Sequence, residues 1–248
     1  MNIKEIPQKW IDTFNRLGSE GVWKPTVDYQ DLFNRDELMG KPLFTLPMGT
    51  VNFPTGQLTC CDPLIMLPHM PDTYVRTVEP GTYLLETKVA EFEQNTFRYV
   101  ATRVIFTANE PFYYELALKG SENLDELNKD SYVGFPVEAG LATIVDEATI
   151  QAYDIFYKDW HQQNPEKNIY DDYYSTLFQL NALAYPRYQR SKGDWINFTI
   201  PNTELSVPMI QSGFGDGLYP VYWAFDKDGK ICQIIMDFID CTEAYKTN

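Results

Sequence analysis

Three aspartates stand where a carboxylate could do acid–base work: Asp62 in Cys61-Asp62-Pro63, Asp146 before Glu147, and Asp216 in the run Ser212-Gly213-Phe214-Gly215-Asp216-Gly217. Carboxylates held in different environments can divide into an acid and a base. Three glycines in five positions also let backbone amides approach an anion closely. The same residues have a plainer use. An Asp before Pro or before a helix turns or caps the chain, and Asp216 could hydrogen-bond loop amides in a tight β connection. The candidate binding set is Ser212, Gly213, Gly215, Asp216, Gly217 and Tyr219, together with Asp62 and Asp146; no residue is assigned as catalytic.

Familiar site motifs fail on context. A dinucleotide fingerprint needs a strand before its glycines and a helix after, but the apolar run Leu218–Trp223 reads as a strand. No Gly-Lys-Ser/Thr occurs, and Ser212 lacks the flanking glycines of a nucleophile elbow. Asp226-Lys227-Asp228-Gly229 places its Gly fourth, where a calcium loop needs it sixth, so it reads as a hairpin turn. Cys60, Cys61, Cys232 and Cys241 form no C-x-x-C pair, and His69 and His161 stand apart, so neither a metal site nor a cofactor is expected. The cysteines read as free thiols of a reducing cytoplasm.

The elements that must position these residues are legible in the spacing. Ile6, Trp10, Phe14 and Leu17 predict a helix over 4–17, and a short helix is expected near 29–39. From Leu43 the texture turns to strands, clearest over 82–92, 97–107 and 111–118. Ser121 would cap an acidic helix over 121–129, and 133–145 returns to strand. Asp146 would cap a longer helix that Asn164-Pro165 stops, with more helix from Tyr173 to Pro186. Four strands follow. The fold class is α+β, mainly antiparallel sheet, with an N-terminal helical segment (1–42), a compact β-rich domain (43–248) and a helical insertion at about 147–185. Arg98 or Arg103 is expected to pair with a buried carboxylate such as Asp62 or Asp237.

An internal echo runs through this order. Gly56–Asp62 resembles Gly140–Asp146, and Gly81-Thr82-Tyr83 resembles Gly217-Leu218-Tyr219. The interval from Asp to the second Gly is 19 residues in one copy and 71 in the other, the longer one holding the insertion. Two related β units, 43–118 and 132–240, would explain it; chance similarity in a β-rich chain is the competing explanation.

Thr55-Gly56, Cys61-Asp62-Pro63, Pro80-Gly81-Thr82-Tyr83, Pro136–Gly140, Asp146, the run from Ser212 to Trp223, Asp226, Gly229 and Asp237-Phe238 together resemble a bacterial family of domains of unknown function, number 4241. The likeness spans about 50–240, and its C-terminal run is the specific part. Ala224 departs from the glycine usual there. The resemblance implies a bacterial cytoplasmic protein and carries over no catalytic residue.

Composition narrows the function. In 248 residues there are 20 basic and 35 acidic side chains, a net charge of −15, which disfavours nucleic acid as a partner. No apolar run is long enough to suggest a membrane span, and no secretory signal opens the chain. From Glu110 to Asp172, fourteen carboxylates face four lysines, with Glu122, Asp125, Glu126 and Asp130 in one stretch. This is either a solvated face or a docking face for a basic partner. The primary expectation is a non-catalytic, acidic cytoplasmic protein that binds another protein, in the manner of an immunity protein against a basic toxin. The alternatives are a hydrolase-like small-molecule enzyme using Asp62 and Asp216, or a ligand-sensing module built on the 212–217 loop.

Overall fold

The computed structural model describes residues 6–128 and 131–246. In chain order the elements are α1 (Gln8–Ser19), α2 (Tyr29–Asn34), β1 (Glu37–Leu38), β2 (Lys41–Phe53), β3 (Leu58–Cys61), β4 (Gly81–Glu93), β5 (Thr96–Ile105), β6 (Tyr113–Leu116), β7 (Phe135–Val137), β8 (Leu141–Asp146), α3 (Glu147–Gln163), α4 (Ser175–Ala184), β9 (Trp195–Thr199), β10 (Ser206–Gln211), β11 (Gly217–Tyr219), β12 (Val221–Phe225), β13 (Ile231–Asp237) and α5 (Cys241–Lys246). The architecture is α+β with antiparallel pairing throughout.

Seven strands form one sheet in the order β1-β2-β4-β5-β13-β12-β6, four form a second in the order β3-β8-β10-β9, and β11 pairs with β7. The main core lies between the two larger sheets, where Cys60, Ile144 and Ile210 meet Val89, Trp223 and Ile234. On its other face the four-stranded sheet carries α3 and α4, and Cys61, Val145 and Met209 pack there against Ile150, Tyr153 and Phe178. β3 and β8 are buried at every residue. Both are therefore largely apolar, broken only by Thr59, Thr143 and the closing Asp146, without the in–out alternation of a half-exposed strand, and adjacent Cys60 and Cys61 enter different cores.

The echo in the sequence has a counterpart in the topology. β3 pairs with β8, and the hairpin β4-β5 meets the hairpin β13-β12 along β5 and β13, with β2 and β6 flanking the outer strands. From β2 to β6 the order reads equivalently from either end. Local detail repeats as well: the Tyr83 hydroxyl donates to the Glu79 carbonyl and the Tyr219 hydroxyl to the Gly215 carbonyl, each four residues back. Each ring covers the glycine two residues before it; a Cβ on Gly81 would lie 2.9 Å from the Tyr83 ring and one on Gly217 3.3 Å from the Tyr219 ring.

Several local expectations need correction. The helix expected over 121–129 is a single 3-10 turn, Leu124–Glu126, and Ser121 caps nothing. Glu122 instead turns its carboxylate back onto the Lys119 and Gly120 amides, at 2.6 and 2.8 Å. This competes with helical hydrogen bonding. The strand expected over 133–145 is broken between β7 and β8, where Gly140 takes φ +66°. The helix near 29–39 stops at Asn34. There Lys88, 1% exposed on β4, donates to the carbonyls of Phe33 and Arg35 and to Thr45 Oγ1. Burial lowers its pKa. Arg103 pairs with Glu86, not with Asp62 or Asp237, and lies 4.0 Å over the Phe33 ring.

Candidate functional site

Asp62 and Asp146 each end one strand of the β3–β8 ribbon, at opposite ends because the strands are antiparallel. Four residues of ladder put about 13 Å between those ends. Both aspartates are completely buried. Asp62 Oδ1 accepts the Leu64 and Ile65 amides at 2.8 and 3.1 Å, and its Oδ2 accepts those of Glu138 and Ala139 at 2.9 and 2.7 Å. Asp146 Oδ1 caps α3 through the Ala148 amide at 2.9 Å. Its Oδ2 accepts the Thr55 and Gly56 amides at 3.0 and 2.8 Å and the Thr55 hydroxyl at 2.9 Å. Each carboxylate thus turns its own chain with one oxygen and, with the other, holds the turn that opens the partner strand. Four donors saturate each group, leaving neither with an oxygen for a substrate proton.

The Gly-rich loop is closed on itself in much the same way. Ser212 Oγ donates to the Gly215 carbonyl at 2.8 Å, and the Gly215 amide donates to the Ser212 carbonyl at 2.6 Å. The Tyr219 hydroxyl reaches the carbonyls of Ser212 and Gly215 at 3.1 and 2.6 Å. The Ser212 amide goes to the Gly140 carbonyl at 3.1 Å, which docks the loop on the turn that Asp62 holds. Gly213 and Gly215 take φ +47° and +113°. Asp216 and Gly217 are exposed. The expected hydrogen bonds from loop amides to Asp216 are replaced by those of Ser212 and Tyr219. The structure therefore brings Asp62, Ser212, Gly213, Gly215 and Tyr219 into one region through Gly140, with Asp216 at its surface, and leaves Asp146 at the far end of the ribbon. With Asp62 saturated and Asp216 in solvent, the two do not form an acid–base pair. Among the described residues no group of His, Cys, Asp and Glu could hold a metal ion.

One ionisable group has a different environment. Asp237, at the end of β13, accepts the Tyr29 hydroxyl at 2.8 Å on Oδ2, while its Oδ1 is buried with no partner. Burial raises its pKa to about 7, opposed by the Tyr29 hydrogen bond and aided by Asp240. Tyr29, Tyr222 and Tyr132 all have raised pKa values, in each case mainly through burial, with the Asp237 charge adding to it. The sequence signal is a carboxylate closing the mostly apolar strand Ile231–Met236; its pairing with Tyr29 is not encoded in that spacing.

Several clefts open on the surface of the described residues, two of them spacious. One, of about 730 Å³, lies between Phe14, the 23–30 segment and residues 111–115. The other, of about 630 Å³, lies against the end of the ribbon that Asp146 holds, lined by Thr55, Gln57, Tyr74, Lys119, Glu147 and Gln151 among others.

Fold and seam together define an antiparallel α+β protein whose two echoed segments are joined by reciprocal aspartate clamps. The model of the family described as "Protein of unknown function (DUF4241)" matches residues 51–236, three quarters of the chain, and the chain belongs to that family. The match begins just before Thr55 and ends beside Asp237, so it takes in both clamps and the Gly-rich loop. No curated protein and no solved structure matches the chain.

Proposed function

We propose that this is a non-catalytic cytoplasmic protein that binds a basic protein partner, as a toxin-neutralising immunity protein does, through the outer face of its helical insertion. The observation that carries the reading is the composition of that face. α3 and α4 bury Ile150, Tyr153, Phe178 and Ala182 toward the sheet. On the opposite side they leave Ile155, Leu180, Leu183 and Tyr185 between 57% and 78% exposed. Exposed Asp159, Glu166 and Asp171 lie in the same segment. Exposed Lys158 and Lys167 stand among these acids, so the segment is net acidic rather than of one sign. Apolar anchors amid a net negative charge suit a partner of the opposite sign, the apolar groups supplying affinity and the charges steering approach.

The acidic stretch 122–130 supports the reading less. Glu122 holds a turn, Asp125 pairs with Lys9 at 2.6 Å, and Asp130 lies outside the described residues. No helix among the described residues is long and apolar enough to cross a membrane. The test compares capture from source lysate by three immobilised proteins: the wild type, the triple variant Ile155→Ser, Leu180→Ser, Leu183→Ser, and the charge variant Asp159→Asn, Glu166→Gln, Asp171→Asn. A basic protein captured at low salt, released at high salt and lost by both variants is expected. Equal capture by all three proteins sinks the proposal.

A further inference from the structure

We propose that the cleft between Tyr74, Lys119 and Glu147 binds a small amino carboxylate, a free amino acid with an apolar side chain being the type. Its volume of about 630 Å³ lies within the range of small-molecule sites. Lys119 lines it part-buried, with its Nζ 5.9 Å from the centre of the Tyr74 ring. In a chain with 35 acidic side chains, Lys119 nonetheless has no carboxylate partner among the described residues. Other lysines among the described residues lack one too, but Lys24, Lys167, Lys192, Lys227 and Lys230 are exposed to water, and Lys41 and Lys88 donate to backbone carbonyls. A cation kept unpaired in a concave site is a place for an anionic group from outside.

The groups around it are fixed in advance. The Lys119 and Gly120 amides are both held by the Glu122 carboxylate. Gly120 takes φ +81°, and a Cβ there would sit 2.3 Å from Ile6 and 3.0 Å from Val75, so the turn is pressed against its neighbours. The Tyr74 amide donates to the Leu58 carbonyl at 2.7 Å, which sets the ring beside β3. Such support keeps a binding group in place without the ligand having to order it. Also lining the cleft, Glu147 accepts Gln57 Nε2 at 2.9 Å on Oε2, and its other oxygen has no partner among the described residues. That oxygen suits an ammonium or another donor. Met70, Tyr74 and Ile150 supply apolar wall for a side chain. One anionic group, one donor and one apolar substituent are the features of an α-amino acid.

The test titrates free L-leucine, L-methionine and L-tyrosine into the full chain, with their carboxamides and N-acetyl derivatives alongside, by calorimetry and NMR shift mapping. The free acids are expected to bind with shifts at residues 55–57, 72–77 and 147–151, and each carboxamide about tenfold or more weaker, the worth of one charge-assisted hydrogen bond. Lys119→Met should lose the same factor. Glu147→Gln should weaken the free acids more than the N-acetyl derivatives. Lys227→Met, in the exposed β12–β13 turn, should change nothing. Thermal melts establish that each variant is folded. Absence of binding by every free acid, equal affinity for acids and carboxamides, or full affinity in folded Lys119→Met overturns the assignment. These readouts use Glu147 and the first turn of α3 but none of the outer-face residues Ile155, Leu180 and Leu183, so they fail or succeed independently of the protein-partner proposal.

Discussion

Asp62 and Asp146 at the seam are completely buried, Asp237 at the end of β13 is half-buried with its Oδ1 out of solvent, and the three differ most in donor count. Each seam carboxylate accepts four hydrogen bonds, mostly from backbone amides. Asp237 has one, from Tyr29, and a bare oxygen. Enough amides replace the lost hydration shell and make a buried carboxylate a structural pin. Too few leave it with a proton to exchange near neutral pH. Burial alone therefore does not mark a reactive acid in this protein; unsatisfied acceptor capacity does.

The largest effect should come from breaking a pin. Asp146→Ala orphans the Thr55 and Gly56 amides, removes the cap of α3 and releases the turn that opens β3. Several buried donors lose a charged acceptor at once, so a loss of about 3–5 kcal/mol is expected, enough to unfold a marginal domain. Asp62→Ala should cost a similar amount by releasing the Glu138 and Ala139 amides. Urea melts measure both. A cost below about 1 kcal/mol for either would mean that water satisfies these amides and that the clamps do not hold the seam.

How far the sequence exposed this arrangement depends on the range of the interactions. The α+β class, the hairpin at Asp226–Gly229 and the cap at Asp146 rest on neighbours within a few residues, and the residue pattern displays them. Half of each pin is equally local: Asp62 to Leu64, Asp146 to Ala148. The other half spans up to 91 residues, from Asp146 to Thr55, and nothing in the local spacing encodes it. The Gly–Asp echo was its trace, but a repeat does not say that its copies hold each other. Glu122 misled for the converse reason: a carboxylate one residue after Ser121 looks like part of a capped acidic helix, yet its shortest route to amides is backward. Lys119, Tyr74 and Glu147 are far apart in the chain, and only the fold assembles their cleft.

Asp237→Asn sharpens the contrast from the other side. The pKa of Asp237 in the folded chain is near 7, against an ordinary 3.8, so the folded state binds the proton more tightly. Stability from this group is full only below about pH 3, where both states are protonated. It falls as pH rises toward and through 7, because ionisation is then easier in the unfolded chain. Three pKa units set an upper bound of about 4 kcal/mol, and relaxation around the carboxylate reduces it. Asp237→Asn should flatten the stability profile between about pH 4 and 8. An unchanged slope on Asp237→Asn would show that Asp237 is solvated.

The smallest effects separate two carboxylates that the sequence grouped together. Glu122 and Asp125 lie three residues apart in one acidic stretch, but the first does the work of a seam aspartate in miniature. Its two oxygens hold the Lys119 and Gly120 amides, whereas Asp125 touches only the exposed Lys9. Glu122→Ala should cost about 1–2 kcal/mol, the value of two amide acceptors in a part-buried turn. Asp125→Asn should lie within the error of the melt, as an exposed ion pair in salt does. Added salt should narrow any remaining difference between Asp125→Asn and the wild type and leave the Glu122→Ala deficit intact, since a carboxylate bonded to amides is screened far less than a pair of solvated charges. Equal costs for the two variants would mean that surface charge, rather than amide satisfaction, sets the value of an acidic residue here, and the distinction between Asp237 and the seam aspartates would lose its physical basis.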